Sequence, residues 1–146
     1  MAGHSSNKPS PPEVGRLLVV AYFDVERFSD VRRAVDAAAR DCGLDSEKAL
    51  DFVTAVNEVM TNAIRHGGGR GELRLWETDQ LMCEVRDQGA GFPATDYLNR
   101  TEPPTPSPAG GMGLWIAQRT SDGMTVDSGP AGTTVRISAQ LRASAG

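Results

Sequence analysis

Three consecutive glycines, Gly67 to Gly69, interrupt the middle of this 146-residue chain. Glycine loses more backbone freedom in a helix than other residues, so three in succession end any helix that reaches them. Before the triplet, apolar residues recur at helical intervals; after it, apolar and polar residues alternate as in a strand with one buried side. The fold must therefore combine helices with a sheet.

The part of the chain before the triplet predicts one strand and two helices. Residues 16–24 are rich in β-forming side chains and predict a strand. A first helix is predicted over 29–42, and a second is capped by Asp45 or Ser46 and reaches His66. The apolar positions of the second helix share one arc: Ala49, Val53, Val56, Met60, Ala63 and Ile64.

The part after the triplet predicts two hairpins and a third helix. The predicted strands are 72–78, 81–87, 123–128 and 133–141, and the helix is 113–120. Residues 88–110 hold five prolines and predict a long loop. Tight turns favour antiparallel pairing, and three helices can cover one face of a sheet. We therefore predict an α+β two-layer sandwich with a mostly antiparallel mixed sheet.

Length and charge limit the kinds of protein this chain can be. Its 146 residues suit one domain, which we place at 16–141 between disordered tails at 1–15 and 142–146. A formal charge of −4 with scattered Lys and Arg disfavours a nucleic-acid partner. The longest apolar run has seven residues, whereas a membrane-spanning helix needs about 20. We expect a soluble cytoplasmic protein, since the first residues do not resemble a secretion signal.

Two polar residues of the second helix, Glu58 and Asn62, stand one turn apart on the same side. Their face, which also contains Ala55 and His66, lies opposite the apolar arc and should remain free of core packing. A solvated helix face is the commonest reason for such residues. A carboxylate can also accept a proton from a hydroxyl, and an amide oxygen can join phosphate oxygens around Mg²⁺. His66 could join them or simply complement the helix dipole.

Two glycine-bearing stretches follow, and both suit the close approach of a ligand. Asp87 ends a strand and precedes Gly89 and Gly91, which permit a sharp turn. Its carboxylate could accept a hydrogen bond from an exocyclic amine such as that of adenine, although an ordinary Asp-x-Gly turn has the same sequence. Gly111 and Gly113 open the third helix, where unpaired N–H groups suit a phosphate. The spacing fits neither a Walker A loop nor a Rossmann fingerprint.

In this order, the motifs resemble those of the Bergerat-fold ATPases, the superfamily of gyrase, Hsp90, histidine kinases and MutL. The resemblance covers roughly residues 16–141. Glu58-x-x-x-Asn62-Ala63 is similar to the N box, and the two glycine stretches are similar to the two glycine boxes. Gly132-Thr133 resembles the motif of the last strand. Within the superfamily, Val59 to Gly67 and Gly132 to Ile137 look most like bacterial anti-sigma factor serine/threonine kinases.

The resemblance implies a role for each matched residue. Glu58 would be the general base towards a serine hydroxyl, Asn62 would hold Mg²⁺, and Asp87 would recognise the adenine of ATP. The proline-rich loop would be the ATP lid. The remaining nucleotide contacts would come from Gly89 and Gly91 at the adenine pocket, Gly111, Gly113 and Leu114 at the phosphates, and Thr133 through a water.

The resemblance also implies partners. Such a kinase holds a sigma factor away from RNA polymerase and phosphorylates an anti-anti-sigma protein, and it forms a homodimer through its sheet edge and first helix. Arg32 corresponds to a basic residue of the shared partner surface, and Arg33 is its nearest competitor.

Two alternatives use the same fold. One is a regulator that binds nucleotide and a sigma factor but transfers no phosphate, and the other is an ATP hydrolase in which Glu58 activates water. The resemblance leaves open which cation serves the γ-phosphate, and Arg65, Arg100 and Arg119 are the candidates.

Overall fold

The computed structural model describes residues 15–89 and 112–141. Within those ranges, three helices pack on one face of a five-stranded antiparallel sheet, which confirms the predicted α+β two-layer sandwich. The predicted tails lie outside the described residues, apart from Gly15. Gly91, Arg100 and Gly111 also lie outside them, with most of the predicted lid.

The observed elements agree with the predicted ones to within two residues at each end. In chain order they are β1 (Arg16–Asp24), α1 (Phe28–Asp41), α2 (Ser46–His66), β2 (Arg70–Glu77), β3 (Gln80–Asp87), α3 (Met112–Thr120), β4 (Gly123–Gly129) and β5 (Gly132–Gln140). One turn is shifted: Thr78 and Asp79 connect β2 to β3, because Gln80 already pairs with β5. β2 starts early because Arg70 pairs with the end of β1.

Both ends of α2 follow from local chemistry. The Asp45 carboxylate accepts a hydrogen bond from the Lys48 backbone N–H at 2.8 Å and so caps the first turn. At the other end, the Gly67 N–H donates to the Ala63 carbonyl at 2.7 Å. Gly68 and Gly69 then adopt φ of +92° and +88°, a region in which residues with a Cβ are strained. The glycine triplet therefore ends α2 and turns the chain into β2.

The strands lie in the order β1-β2-β3-β5-β4, and each described ladder is antiparallel. Alternate residues of the three central strands face the helices and form the core with α2. These buried strand residues are Leu73, Leu75, Leu81, Cys83, Val85, Val135, Ile137 and Ala139. Among the helices that the structure describes, none has the apolar length that crossing a membrane requires.

The other face of the sheet carries a buried carboxylate. Glu84, on the central strand β3, is 2% exposed, and its carboxylate pairs with Arg136 at 2.8 Å and with Arg86 at 3.9 Å. Arg136 also stacks over the Trp76 ring, with its guanidinium carbon 5.2 Å from the ring centroid. These arginine and aromatic groups shield the carboxylate from water and neutralise it, so this cluster joins three adjacent strands.

We expect Glu84→Gln to lower the free energy of unfolding by about 2 kcal/mol, because a buried charge-assisted hydrogen bond is lost. Urea denaturation would measure the change. The matched control is Asp30→Asn, since Asp30 pairs with Arg33 at 2.6 Å but is 75% exposed. Solvent screening should limit the cost of that control to less than about 1 kcal/mol. Equal costs for the two variants would contradict a structural role for the buried pair.

Candidate functional site

The predicted face of α2 holds Glu58 and Asn62, and both are half-buried. The expectation that this face is free of core packing is wrong at Ala55, which is 0% exposed. α3 packs against α2, so the helix is covered on a second side. The start of α3 lies against the acid: a Cβ placed on Gly113 would be 3.0 Å from Glu58 Oε1. The structure therefore brings Glu58 together with the second glycine stretch.

Packing changes the acid–base chemistry of Glu58. Burial raises the pKa of its carboxyl above the ordinary value of 4.5. In the part of the chain that the structure describes, the carboxylate has no ion-pair partner. A carboxylate that is desolvated without an opposing charge holds a proton more tightly, which makes it a better proton acceptor at neutral pH.

Asp87 lies at the end of β3, where three segments meet. Its carboxylate accepts hydrogen bonds from the backbone N–H groups of Gly89, at 2.9 Å, and of Thr133. Burial raises the pKa of Asp87, while these two N–H groups and the charge of His66 oppose the rise. The structure thus brings together the acid, one glycine of its motif and the first threonine of the last strand. These contacts fix the orientation of the carboxylate.

Three glycines allow the backbone to pack closely around Asp87. A Cβ on Gly67 would overlap the Asp87 carboxyl group, and a Cβ on Gly132 would overlap the Asp87 carbonyl. A Cβ on Gly89 would lie 2.5 Å from both the Gly67 Cα and the His66 carbonyl oxygen. From the sequence, Gly67 is predicted to end α2. The packing of Gly67 against Asp87 has no separate sequence signal, because the end of the helix is already a sufficient reason for a glycine at this position.

The remaining residues predicted to contact the nucleotide differ in their surroundings. Leu114 is 1% exposed, so only its backbone could face a ligand at the start of α3, where N–H groups are unpaired. Thr133 is buried, and its hydroxyl shares a hydrogen bond of 2.7 Å with the Ser128 hydroxyl. Gly91 and Gly111 lie outside the described residues.

The candidate basic residues differ in their surroundings. Arg32, on α1, is half-buried and has no ion-pair partner within residues 15–89 and 112–141, whereas the adjacent Arg33 is exposed and pairs with Asp30. Arg65 is exposed at the end of α2. The Arg119 guanidinium carbon lies 5.0 Å from the centroid of the Trp115 ring. None of these contacts identifies the cation for a γ-phosphate.

A groove at the end of the sheet borders this region but differs from it. Its lining includes Asp87, Gly67 and Gly132, yet it contains neither Glu58 nor Asn62. Other lining residues, such as Glu72, Arg86 and Thr134, alternate along their strands with residues buried beneath the helices. The groove therefore opens mainly on the sheet face away from α2, and we do not assign the nucleotide to it.

A magnesium site in this protein would depend on oxygen ligands. Among the described residues, no group of three or more His, Cys, Asp or Glu side chains could hold a metal ion. Asn62 would hold a Mg²⁺ ion through its amide oxygen, and phosphate oxygens and water would complete the ligands. Hard oxygen ligands of this kind, with several from the substrate, suit Mg²⁺.

The raised pKa of Glu58 gives a testable pH dependence of stability. The folded protein holds this proton more tightly than the unfolded chain does, so this stabilising effect is complete at low pH and is lost as pH rises through the folded-state pKa. Glu58→Gln replaces the carboxyl group, which becomes charged as the pH rises, with a neutral amide. We expect the variant to gain stability relative to the parent as the pH rises above the ordinary carboxyl pKa of 4.5.

Urea denaturation at several pH values would measure this difference. Glu47→Gln is the matched control, because Glu47 is exposed on the first turn of the same helix. The control should show no gain in relative stability with rising pH. A pH-independent difference for Glu58→Gln would contradict the desolvation of Glu58.

Comparisons with known proteins agree with this architecture. The family model of the histidine kinase-like ATPase domain matches residues 22–139. That range includes each candidate position from Arg32 to Thr133. A search of curated proteins found no match.

Two solved structures share the fold. The histidine kinase domain of the blue-light activated histidine kinase EL346 from Erythrobacter litoralis is 23% identical, with a TM-score of 0.50 over 78% of this chain and 64% of that chain. The structure of the RsbU and RsbW domains of Rv1364c from Mycobacterium tuberculosis is 18% identical, with a TM-score of 0.56 over 84% of this chain and 32% of that chain. This chain thus spans less than two thirds of either structure. Because the family model covers most of the sequence, the protein belongs to the histidine kinase-like ATPase domain family.

Proposed function

We propose that this protein binds ATP with Mg²⁺ and transfers the γ-phosphoryl group to a serine of a partner protein. The observation that carries the proposal is the desolvated Glu58 carboxylate beside the start of α3, which has no ion-pair partner among the described residues. An ATPase domain implies ATP binding, and a phosphotransferase also needs a proton acceptor for the attacking hydroxyl. Glu58 has the surroundings that such an acceptor requires.

The geometry around Asp87 suits an adenine ring. The carboxylate is held by two backbone N–H groups, and Gly67 has no side chain at the point where a Cβ would overlap it. A fixed carboxylate can accept a hydrogen bond from the exocyclic amine of adenine, and the flat ring can approach the glycine backbone closely. Asp87 therefore selects the base, with Thr133 at the same end of the sheet.

The start of α3 and Asn62 would receive the phosphates and the metal. ATP supplies the phosphoryl group, and Mg²⁺ neutralises part of the phosphate charge. The N–H groups at the start of α3 favour an anion at that end of the helix. Asn62 lies on α2 between Glu58 and His66, one turn from each, so its amide oxygen would hold the metal on the same side of the helix as the general base.

In the proposed reaction, Glu58 accepts the proton of the serine hydroxyl. The serine oxygen forms a bond to the γ-phosphorus as the bond from that phosphorus to the bridging oxygen of the β-phosphate breaks, and ADP leaves. Glu58 then releases its proton to water. The raised pKa of the carboxyl helps it to accept the proton, and proximity to the acceptor hydroxyl supplies the rest of its effect.

The biological role that we propose is that of an anti-sigma factor. The sequence motifs resemble anti-sigma factor serine/threonine kinases, and a cytoplasmic homodimer that binds a sigma factor and phosphorylates an anti-anti-sigma protein fits them. Phosphorylation adds roughly −1.5 to −2 charges to the serine. A chain with a net charge of −4 would then bind the modified antagonist less tightly and return to the sigma factor.

We expect Glu58→Ala to abolish phosphorylation of the antagonist while ATP affinity changes by no more than about threefold, since the proton acceptor is lost but the adenine contacts remain. Asn62→Ala should also weaken Mg²⁺-dependent ATP binding, because the metal loses its protein ligand. The assay combines the purified protein, ATP-Mg²⁺ and candidate antagonists, and detects phosphoserine by mass spectrometry.

The same assay separates the alternatives. If the parent protein binds ATP and a sigma factor but modifies no antagonist, the non-catalytic regulator is favoured. Release of phosphate without a phosphorylated protein favours an ATP hydrolase. Transfer that continues at the parent rate in Glu58→Ala would rule out Glu58 as the general base.

We expect Arg32→Glu to weaken binding of the protein partners by about tenfold or more, because it reverses a positive charge on α1 that has no ion-pair partner in the described part of the chain. ATP affinity should not change. Arg33→Glu is the matched control on the same helix, since Arg33 is exposed and already paired with Asp30. Calorimetry of each variant with the sigma factor and with the antagonist would measure the affinities. If both variants lost the same affinity for the partners, the effect would be due to net charge alone. Arg32 would then not belong to the partner surface.

A further inference from the structure

Gly113 is the second residue of α3, and local structure does not account for a glycine there. Its φ lies outside the left-handed region, so its backbone conformation suits any residue. Inside a helix, alanine is the better helix former. A glycine that the backbone does not need is explained by what lies where its side chain would be.

The neighbour of Gly113 is the Glu58 side chain. A Cβ on Gly113 would lie 3.0 Å from Glu58 Oε1, 3.8 Å from the Glu58 carbonyl oxygen and 3.9 Å from the Glu58 Cβ. Only the first of these distances is shorter than an ordinary van der Waals contact. The added methyl group would therefore press on the carboxylate and leave the backbone of α2 in place.

The two helices cannot easily separate to relieve that contact. Ala55 and Val59 of α2, and Leu114 and Ala117 of α3, are each no more than 2% exposed. Moving α3 away would open space in a packed core, which is costly. The Glu58 side chain ends in rotatable bonds and lies partly in solvent, so it would be the group that moves.

We propose that Gly113 is a positioning residue for Glu58: the missing side chain at 113 lets the carboxylate rest against the start of α3, at the place from which it accepts the proton. The inference rests on the proposed role of Glu58 as general base. This role differs from phosphate binding by Gly113, because here a glycine is needed to leave room on the side of α3 that faces α2. The two roles predict different kinetics.

Gly113→Ala should lower kcat for phosphorylation of the antagonist by up to about tenfold, because the carboxylate must give way by a few tenths of an ångström and a full displacement of about 1 Å costs about 100-fold. The Kd for ATP-Mg²⁺ should stay within about threefold of the parent value. Gly129→Ala is the control, since that glycine has open space around its Cβ and an ordinary φ. Its kcat and Kd should match those of the parent. A loss of ATP affinity as large as the loss of rate would overturn the inference, and so would an unchanged kcat.

A shorter acid gives an independent test. Aspartate at position 58 withdraws the carboxylate by one methylene, so the added methyl group should no longer press on it. In a Glu58→Asp background, Gly113→Ala should cost much less than in the parent, and the two effects should therefore be strongly non-additive. The same fold loss in both backgrounds would contradict the contact.

A measurement without turnover separates this inference from the proposed function. An NMR titration of the Glu58 carboxyl carbon should show a different midpoint in Gly113→Ala than in the parent protein, because the carboxylate has changed its surroundings. Identical midpoints would overturn the positioning role. If the parent transfers no phosphate to any antagonist, the proposed function fails, and the titration still decides whether Gly113 positions Glu58.

Discussion

The rest of the structure depends on α2 being packed on two sides. One side contributes Val53, Val56 and Met60 to the core above the sheet, and α3 packs against another side, where Gly113 lies beside Glu58. A helix with a single covered side would leave Glu58 fully hydrated, with an ordinary acidity. The start of α3 lies against the Glu58 carboxylate, and burial raises the pKa of that carboxyl.

The other half of the site depends on the register of the sheet. Asp87 ends β3 opposite Thr133 of β5, so the backbone N–H of that residue reaches the carboxylate. The end of α2 is brought to the same point, since Gly67 and Gly89 pack together without side chains. A shift of one residue in the β3–β5 ladder would turn Asp87 away from the helices. The adenine pocket that we propose is thus held by the same hydrogen bonds that hold the sheet.

The sequence was sufficient to predict most of the fold because its signals there are local. The glycine triplet ends α2, Asp45 caps it, and alternation defines β2 and β3. Ala55 was misjudged because helical periodicity identifies one buried side, whereas a second covering helix comes from residues far along the chain. The contacts of Gly67 with Asp87, and of Gly113 with Glu58, are likewise long-range. In both cases the sequence shows that a glycine is present, but it does not show which side chain packs against that glycine.

Two buried or half-buried glutamates show how this chain separates stability from chemistry. Glu84 is almost inaccessible, and two arginines neutralise it, so this carboxylate links neighbouring strands of the sheet. Glu58 is less buried, yet within the described ranges it has no cation beside it, and its pKa is raised. Leaving a carboxylate desolvated and unpaired costs folding free energy, and that cost is typical of a reacting group rather than of a structural one. The contrast between the two environments is the physical reason for assigning the chemistry to Glu58, and it holds whether the acceptor is a serine or water.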